Sequence, residues 1–220
     1  MVFFFNRDNL FALLGVNSAN LPSTLFEIID IVIMSVAIAY IFEAFFHIRS
    51  KHIPKDYDPI QEYRKTRFHV NKESFKTSLY AIAPAVILHE LMHKFVAIGL
   101  GSNATFYASY GGLALGVALR LIGSPIIFFV PGFVSHITTA IPWQGALIAF
   151  AGPFANLALW LGSWILLKKR DKFNFRPQSL IILDISRKIN LFLFFFNMIP
   201  IAPFDGGSVF GNLIRMFTGV

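Results

Sequence analysis

Long apolar stretches separated by shorter polar ones dominate the pattern of this 220-residue chain. Four of the apolar stretches have about the 17–25 residues that a helix needs to cross a bilayer. They cover residues 24–46, 78–100, 143–167 and 181–200. Each is therefore predicted to form a membrane-spanning helix. The helical apolar period over residues 208–217 predicts a further helix after them.

Three acidic residues interrupt the first of these stretches. Glu27 and Glu43 lie near its two ends, where we expect the carboxylates to reach the membrane interface. Asp30 lies deeper, so placement at the interface does not account for it.

The stretch between the second and third predicted spans is less regular. Residues 104–110 alternate somewhat like a strand, and Gly111 and Gly112 are expected to end it. The apolar run over residues 113–130 is interrupted by arginine, glycine and proline. The pattern fits either one span with a loop or a re-entrant segment, which requires protein or water to cover its irregular backbone.

The composition is that of an integral membrane protein, with 55% hydrophobic, 16% aromatic and 14% charged residues. The net charge of +7 comes from basic residues in the connections between apolar runs, so no nucleic-acid partner is expected. The chain has no cysteine, which excludes disulfides and thiolate metal sites. We expect an N-terminal part over residues 1–77, with the first span and a charged connection, and a core over residues 78–217.

The sequence His89-Glu90-Leu91-Met92-His93 lies in the middle of the second predicted span. Residues four apart share one helix face and lie about 6 Å apart along its axis. Both imidazoles can therefore bind one zinc ion, with Glu90 beside the metal as a base. Ionisable groups at membrane depth are costly, which makes them candidates for function.

Asp205 is the best candidate for a third ligand. It stands between Pro203 and the pair Gly206-Gly207, after prolines that are predicted to end the preceding helix. The alternative is that Asp205 only caps the N-terminus of the helix that follows. The other histidines lie in connections or broken segments, where solvated or capping roles are expected; they are His47, His52, His69 and His136.

Three motifs, in this order, resemble those of the site-2 protease family of intramembrane zinc metalloproteases, the M50 peptidases. The first is the H-E-x-x-H motif from His89 to His93. The second is a G-P-x-x-N element formed by Gly152, Pro153 and Asn156. The third is an N-x-x-P-x-x-P-x-D-G element formed by Asn197, Pro200, Pro203, Asp205 and Gly206. The resemblance covers roughly residues 81–210.

The resemblance implies that His89, His93 and Asp205 bind one Zn²⁺ ion per chain and that Glu90 is the catalytic acid-base. It implies that Asn197 helps to hold the substrate.

Two further residues are candidates for substrate contacts on the same grounds. For Asn156 the resemblance favours close packing and polar contacts between the core helices, with a substrate contact as a second possibility. His136 lies in the stretch that takes the place of the family's re-entrant β-like region, where substrate is received as an extended strand.

Pattern and resemblance together predict an all-α polytopic membrane protein with about five to six transmembrane helices and a re-entrant β-like segment after the zinc-motif helix. The implied function is hydrolysis of peptide bonds within or near transmembrane segments of membrane-protein substrates, in regulated intramembrane proteolysis at the cell membrane. The alternative is a metal-cation transporter, because histidines and acidic residues inside spans also build cation pathways. We find no pair of matching interrupted helices in two halves, which a transporter would favour.

The orientation in the membrane stays open. The basic connections over residues 47–77 and 168–176 both favour the cytoplasmic side. The resemblance instead starts the zinc-motif helix outside and ends it towards the cytoplasm.

Overall fold

The computed structural model describes residues 6–14, 23–46, 70–124, 130–136 and 141–218, most of which are helical. These residues form eight α-helices, two β-strands and two short 3-10 helices at Ala44–Phe46 and Arg170–Lys172. The α-helices are α1 (Arg7–Leu14), α2 (Ser23–Glu43), α3 (Lys72–Ala81), α4 (Ala83–Gly99), α5 (Tyr110–Leu121), α6 (Pro142–Lys168), α7 (Pro177–Asn197) and α8 (Asp205–Thr218). The strands are β1 (Ala104–Ala108) and β2 (Gly132–His136).

Three helical stretches among the described residues are long and apolar enough to cross a membrane: Ser23–Glu43, Lys72–Gly99 and Pro142–Lys168. They coincide with three of the predicted spans, as expected for a helical membrane protein. Helix α7 covers the fourth predicted span up to Asn197 and is as long as α2, with 21 residues. It is not among the three because charged residues lie near its middle: Asp184, Arg187 and Lys188. The total of about five to six spans stays a prediction.

The second span begins earlier than the sequence predicts. Helix α3 starts at Lys72, because the side chain of Asn71 caps it by accepting hydrogen bonds from the backbone N–H groups of Glu73 and Ser74. The polar residues of this first turn conceal the helix from a hydrophobicity pattern. The helix is interrupted at Ile82, next to Pro84, which lacks the N–H that a continuous helix needs.

The chain divides into two compact units. The first comprises Met1–Ala83 and Ala108–Gly132, and the second comprises Pro84–Tyr107 and Phe133–Val220, as far as these ranges are described. The expected division into residues 1–77 and 78–217 stays a prediction.

In the first unit, α2 packs against α3 and α5. Asp30 of α2 is buried, where it pairs with Nη1 of Arg7 at 3.1 Å and accepts a hydrogen bond of 2.7 Å from the hydroxyl of Tyr110. The carboxylate of Glu43 is also buried, and it pairs with Arg120. Glu43 is therefore buried against another helix, and Glu27 is buried as well, while the expected position of both at the membrane interface stays a prediction. Two carboxylates of α2 bind cations from α1 and α5.

The two strands form a small sheet. The backbone N–H of Ser109 donates to the carbonyl of Pro131, and the ring of Tyr107 stacks on that of Phe133. The residue that pairs with Tyr107 therefore lies further along the chain than the residue that pairs with Ser109. This order is that of antiparallel strands. The strand-like alternation predicted from residue 104 is confirmed over Ala104–Ala108.

The glycines that were expected to follow the strand as a break lie instead at the start of a helix. Gly111 and Gly112 belong to the first turn of α5, where the hydroxyl of Ser109 accepts from the N–H of Gly112. In the second unit, α6 packs against α7 and α8.

Candidate metal centre

His89 and His93 lie one turn apart on α4, and Asp205 is the first residue of α8. The Nε2 atoms of the two imidazoles are 3.1 Å apart. Oδ2 of Asp205 is 3.0 Å from Nε2 of His89 and 3.4 Å from Nε2 of His93. Both histidines are buried, and Asp205 is partly exposed. The chain thus brings together the three residues that the sequence proposes as metal ligands.

The opposite nitrogen of each imidazole faces an oxygen. Nδ1 of His89 is 2.7 Å from Oδ1 of Asn156, and Nδ1 of His93 is 2.7 Å from the backbone carbonyl of Ile148. An oxygen that accepts requires a proton on each Nδ1, so in the neutral rings each Nε2 keeps its lone pair. Two lone pairs and one carboxylate oxygen therefore face the same point, and they repel one another unless a cation lies among them.

The spacing of these three atoms fits zinc. Zinc binds histidine nitrogen and carboxylate oxygen at about 2.0–2.2 Å in tetrahedral geometry, which separates neighbouring donor atoms by about 3.3–3.5 Å. The distances of 3.0, 3.1 and 3.4 Å are close to that spacing. Three protein ligands of this kind leave a fourth position for water or substrate, as in catalytic zinc sites.

Gly152 of α6 leaves room for the two imidazoles. A Cβ at this position would overlap Nε2 of His93 and would lie 2.7 Å from Nε2 of His89. Any side chain here would therefore occupy the space in front of the donor nitrogens. The structure thus gives a steric reason for glycine at the first position of the G-P-x-x-N element.

The electrostatics of Asp205 favour a negatively charged ligand. Burial opposes ionisation of its carboxyl group, but the positive charge that His89 and His93 carry when protonated outweighs burial and holds its pKa below the usual range. A cation bound among the three groups would act in the same direction. The position in the first turn of α8 acts in the same direction, because the positive end of a helix dipole stabilises an anion. No N–H of the described residues makes a hydrogen bond to Oδ2, which leaves this oxygen available to a metal.

Glu90 lies on α4 beside the two histidines and is partly buried. Its carboxylate is within electrostatic range of His89, His93 and Asp205, although it is not one of the three clustered ligands. A carboxylate near a metal ligand set, but outside it, is free to exchange protons.

Asn156 of α6 is fully buried, and its Nδ2 donates to the carbonyl of Ala85 at 3.0 Å and to Oδ1 of Asn190 at 2.9 Å. With the contact to His89, all of its polar atoms have partners in other helices. The structure thus gives Asn156 the polar interhelical contacts that the resemblance favours. The second possibility, a substrate contact, stays a prediction, and the burial of this side chain disfavours it.

Asn190 of α7 is a buried partner of this site that the sequence analysis does not single out. The signal available in the sequence is a lone amide directly before the apolar run of residues 191–196. A polar side chain among such residues requires a partner, but the sequence does not say which one.

The two remaining candidates also belong to the second unit. Asn197 is the last residue of α7, and its partly exposed side chain makes no hydrogen bond within the described part of the chain. His136 ends β2, and its side chain lies outside what the structure describes. Their roles stay predictions, and His47, His52 and His69 also lie outside the described residues.

Two curated proteins are similar to this chain. Over 141 residues, which are 61% of the chain and 69% of the relative, it is 41% identical to a protein of Methanocaldococcus jannaschii named "Putative zinc metalloprotease". Over 136 residues, again 61% of the chain, it is 31% identical to a Synechocystis protein of the same name, of which it spans 30%. No protein-family model matches the chain, and no solved structure does.

Two histidines and a carboxylate around one point are the ligands typical of a zinc site, and both relatives are named as zinc metalloproteases. At this identity and coverage the chain belongs to the family of zinc metalloproteases. Zinc is accordingly the metal that the family implies for the cluster of His89, His93 and Asp205.

Proposed function

We propose that this protein is an intramembrane zinc metalloprotease of the site-2 protease (M50) type. It hydrolyses peptide bonds within or near transmembrane segments of membrane proteins, as a multi-pass protein of the cell membrane. The observation that carries the proposal is the convergence of His89, His93 and Asp205 within 3.0–3.4 Å, with both histidines on a helix apolar enough to span a membrane.

His89, His93 and Asp205 would hold one zinc ion, and Glu90 would move the proton. When bound, the ion supplies Lewis-acid chemistry: it makes water more acidic and polarises the scissile carbonyl. The Glu90 carboxylate takes a proton from the attacking water and passes it to the nitrogen of the leaving amine. The chemical step thus needs one acid-base residue close to the ligands, which is where Glu90 lies on α4.

A substrate helix hides its carbonyl groups in hydrogen bonds to the N–H four residues on, so it must unwind before a carbonyl can be attacked. The sheet of β1 and β2 has only two strands among the described residues, so an extended peptide could add to it. Backbone hydrogen bonds to such an edge replace those lost when the helix unwinds. We assign the reception of the unwound substrate to this sheet and to Asn197, at the end of α7.

The test compares purified wild-type protein with Glu90→Gln on a panel of tagged single-span substrates, with zinc content measured for both. We expect Glu90→Gln to keep zinc and to lose cleavage, because the ligands are intact and the proton carrier is not. The matched control is Glu73→Gln, which removes an exposed carboxylate on α3 and should cleave normally.

The same two proteins in zinc-loaded liposomes separate the protease from a transporter. The proposal fails if the wild type cleaves no substrate of the panel but carries zinc across the bilayer in a manner that Glu90→Gln alters.

A further inference from the structure

Asn190 lies fully buried in α7 and uses both ends of its amide. Its Nδ2 donates to the backbone carbonyl of Ser186 at 2.8 Å and also contacts the hydroxyl of that residue at 3.1 Å. Its Oδ1 accepts from Nδ2 of Asn156 at 2.9 Å. The amide of Asn156 in turn presents Oδ1 to Nδ1 of His89. These groups form a chain of hydrogen bonds from α7 through α6 to a metal-binding histidine of α4.

The direction of this chain is fixed at two points by backbone carbonyls, which can only accept. The carbonyl of Ser186 requires the nitrogen of the Asn190 amide to face it, which turns Oδ1 towards Asn156. The carbonyl of Ala85 requires the nitrogen of Asn156. If either amide turned over, oxygen would face oxygen at a buried position, which costs the free energy of the lost hydrogen bonds. The oxygen of Asn156 therefore has to face His89.

The two histidines differ in the group that fixes the tautomer of the ring. The Nδ1 of His93 faces the carbonyl of Ile148, which every residue type at position 148 would provide. The Nδ1 of His89 faces an amide that is held by the carbonyl of Ala85 and by Oδ1 of Asn190, and only the second of these anchors is a side chain. The tautomer of His89 therefore depends on side chains in a way that the tautomer of His93 does not.

We propose that Asn190 is a positioning residue for the metal centre, which acts through Asn156 to hold His89 in the tautomer with its lone pair on Nε2. It does not touch the metal or the substrate. Partners that contact a metal ligand directly, as Asn156 does, typically change metal affinity by about 10–100-fold when they are removed, and Asn190 holds Asn156 in that contact. The inference rests on the proposed metal centre but not on proteolysis.

The test uses three variants of the full chain, each measured without zinc and during zinc titration. Asn190→Leu removes the acceptor at nearly constant volume. Asn190→Asp, as the protonated acid of a buried site, keeps an oxygen for Asn156 and can donate its hydroxyl to the carbonyl of Ser186. Ser163→Ala is the matched control, because Ser163 of α6 also contacts Ser186 but takes no part in the chain to His89.

The first measurement is the tautomer of His89, read from the ¹⁵N shifts of labelled histidine in zinc-free protein and assigned with His89→Ala. The second is zinc affinity by competition with a chelator. We expect Asn190→Leu to show both tautomers of His89 and to bind zinc about 10–100-fold more weakly. Asn190→Asp and Ser163→Ala should keep one tautomer and an affinity within about threefold of wild type. If Asn190→Leu does not fold, Asn190→Ala, which only removes atoms, carries the same expectation.

Two outcomes would overturn the inference. One is an Asn190 variant that keeps a single tautomer of His89 and binds zinc as wild type does. The other is an equal loss of affinity in Asn190→Asp and Asn190→Leu, because Asn190→Asp keeps the oxygen that faces Asn156 and should retain the affinity if that oxygen is what matters. Neither measurement depends on cleavage. The tautomer and the zinc affinity can therefore be interpreted even if the protein proves not to be a protease.

Discussion

Gly152 of α6 faces the imidazole of His93 so closely that a Cβ on the glycine would overlap Nε2 of that ring. The contact joins two helices at the atom that would bind the metal. It makes the metal centre sensitive to a single methyl group on a residue that is not itself a ligand.

Gly152→Ala should therefore weaken zinc binding by about a hundredfold, similar to the loss of a partner that orients a ligand. The added methyl group displaces the ring of His93 from the position that Nε2 now occupies. Gly162→Ala is the control on the same helix, because a Cβ there meets nothing within 4 Å. That variant should bind zinc normally and can stabilise α6 by up to about 1 kcal/mol. Zinc titration of both variants decides the matter, and equal affinities would contradict the steric argument.

Asp205→Asn should weaken zinc binding more than Asn190→Leu does, hence by more than about a hundredfold. The substitution removes the anionic ligand and leaves two neutral imidazoles. Asp184→Asn is the matched control, since Asp184 is ion-paired with Arg187 and Lys188 on α7 and should leave zinc binding unchanged. Chelator competition measures both, and normal affinity in Asp205→Asn would exclude this residue as a ligand.

Asp30→Asn should destabilise the first unit by about 3–5 kcal/mol, because it removes a buried carboxylate that pairs with Arg7. Glu73→Gln removes one partner of an exposed ion pair with Lys76 and should cost less than about 1 kcal/mol. Unfolding in mixed detergent micelles compares the two variants with wild type. Similar midpoints for both variants would show that the buried pair contributes little.

Substrates whose helices contain two glycines near the cut should be cleaved faster than polyleucine substrates. Each glycine lowers helix stability by about 1 kcal/mol, so two make local unwinding easier by up to about thirtyfold. Cleavage rates of a matched pair check this, with the same two glycines moved to the far end of the helix as the control. Stiff and weakened helices that are cut at equal rates would argue against an unwinding step.

The cluster of His89, His93 and Asp205 could be predicted from the sequence because metal chemistry uses few residue types. The spacing of His89 and His93 fixes them on one helix face, and a chain without cysteine leaves a carboxylate or histidine for the third position. Asp205 is then the best candidate for that position, because prolines before it end one helix and glycines after it let the backbone turn. Span positions were also predictable, because a bilayer sets the length of an apolar helix.

The partners of single polar residues could not be predicted. Glu43 is near the end of its span, and only the fold brings Arg120 next to it. Asn190 was likewise visible as an amide before an apolar run, while the identity of its partner depends on how α7 packs against α6. Hydrophobic periodicity reports which face of a helix is buried, but not which side chain of a neighbouring helix meets a given position. The early start of α3 could not be predicted from hydrophobicity, because it depends on the capping side chain of Asn71.

More than a hundred residues of chain separate His93 from Asp205, yet their donor atoms lie 3.4 Å apart. An ion held by both would join the two ends of a long loop. The entropy that an unfolded chain loses on closing a loop grows with its length, so such a cross-link disfavours the unfolded state. A chelator would then weaken this fold much as a reductant weakens a protein that depends on a disulfide bond.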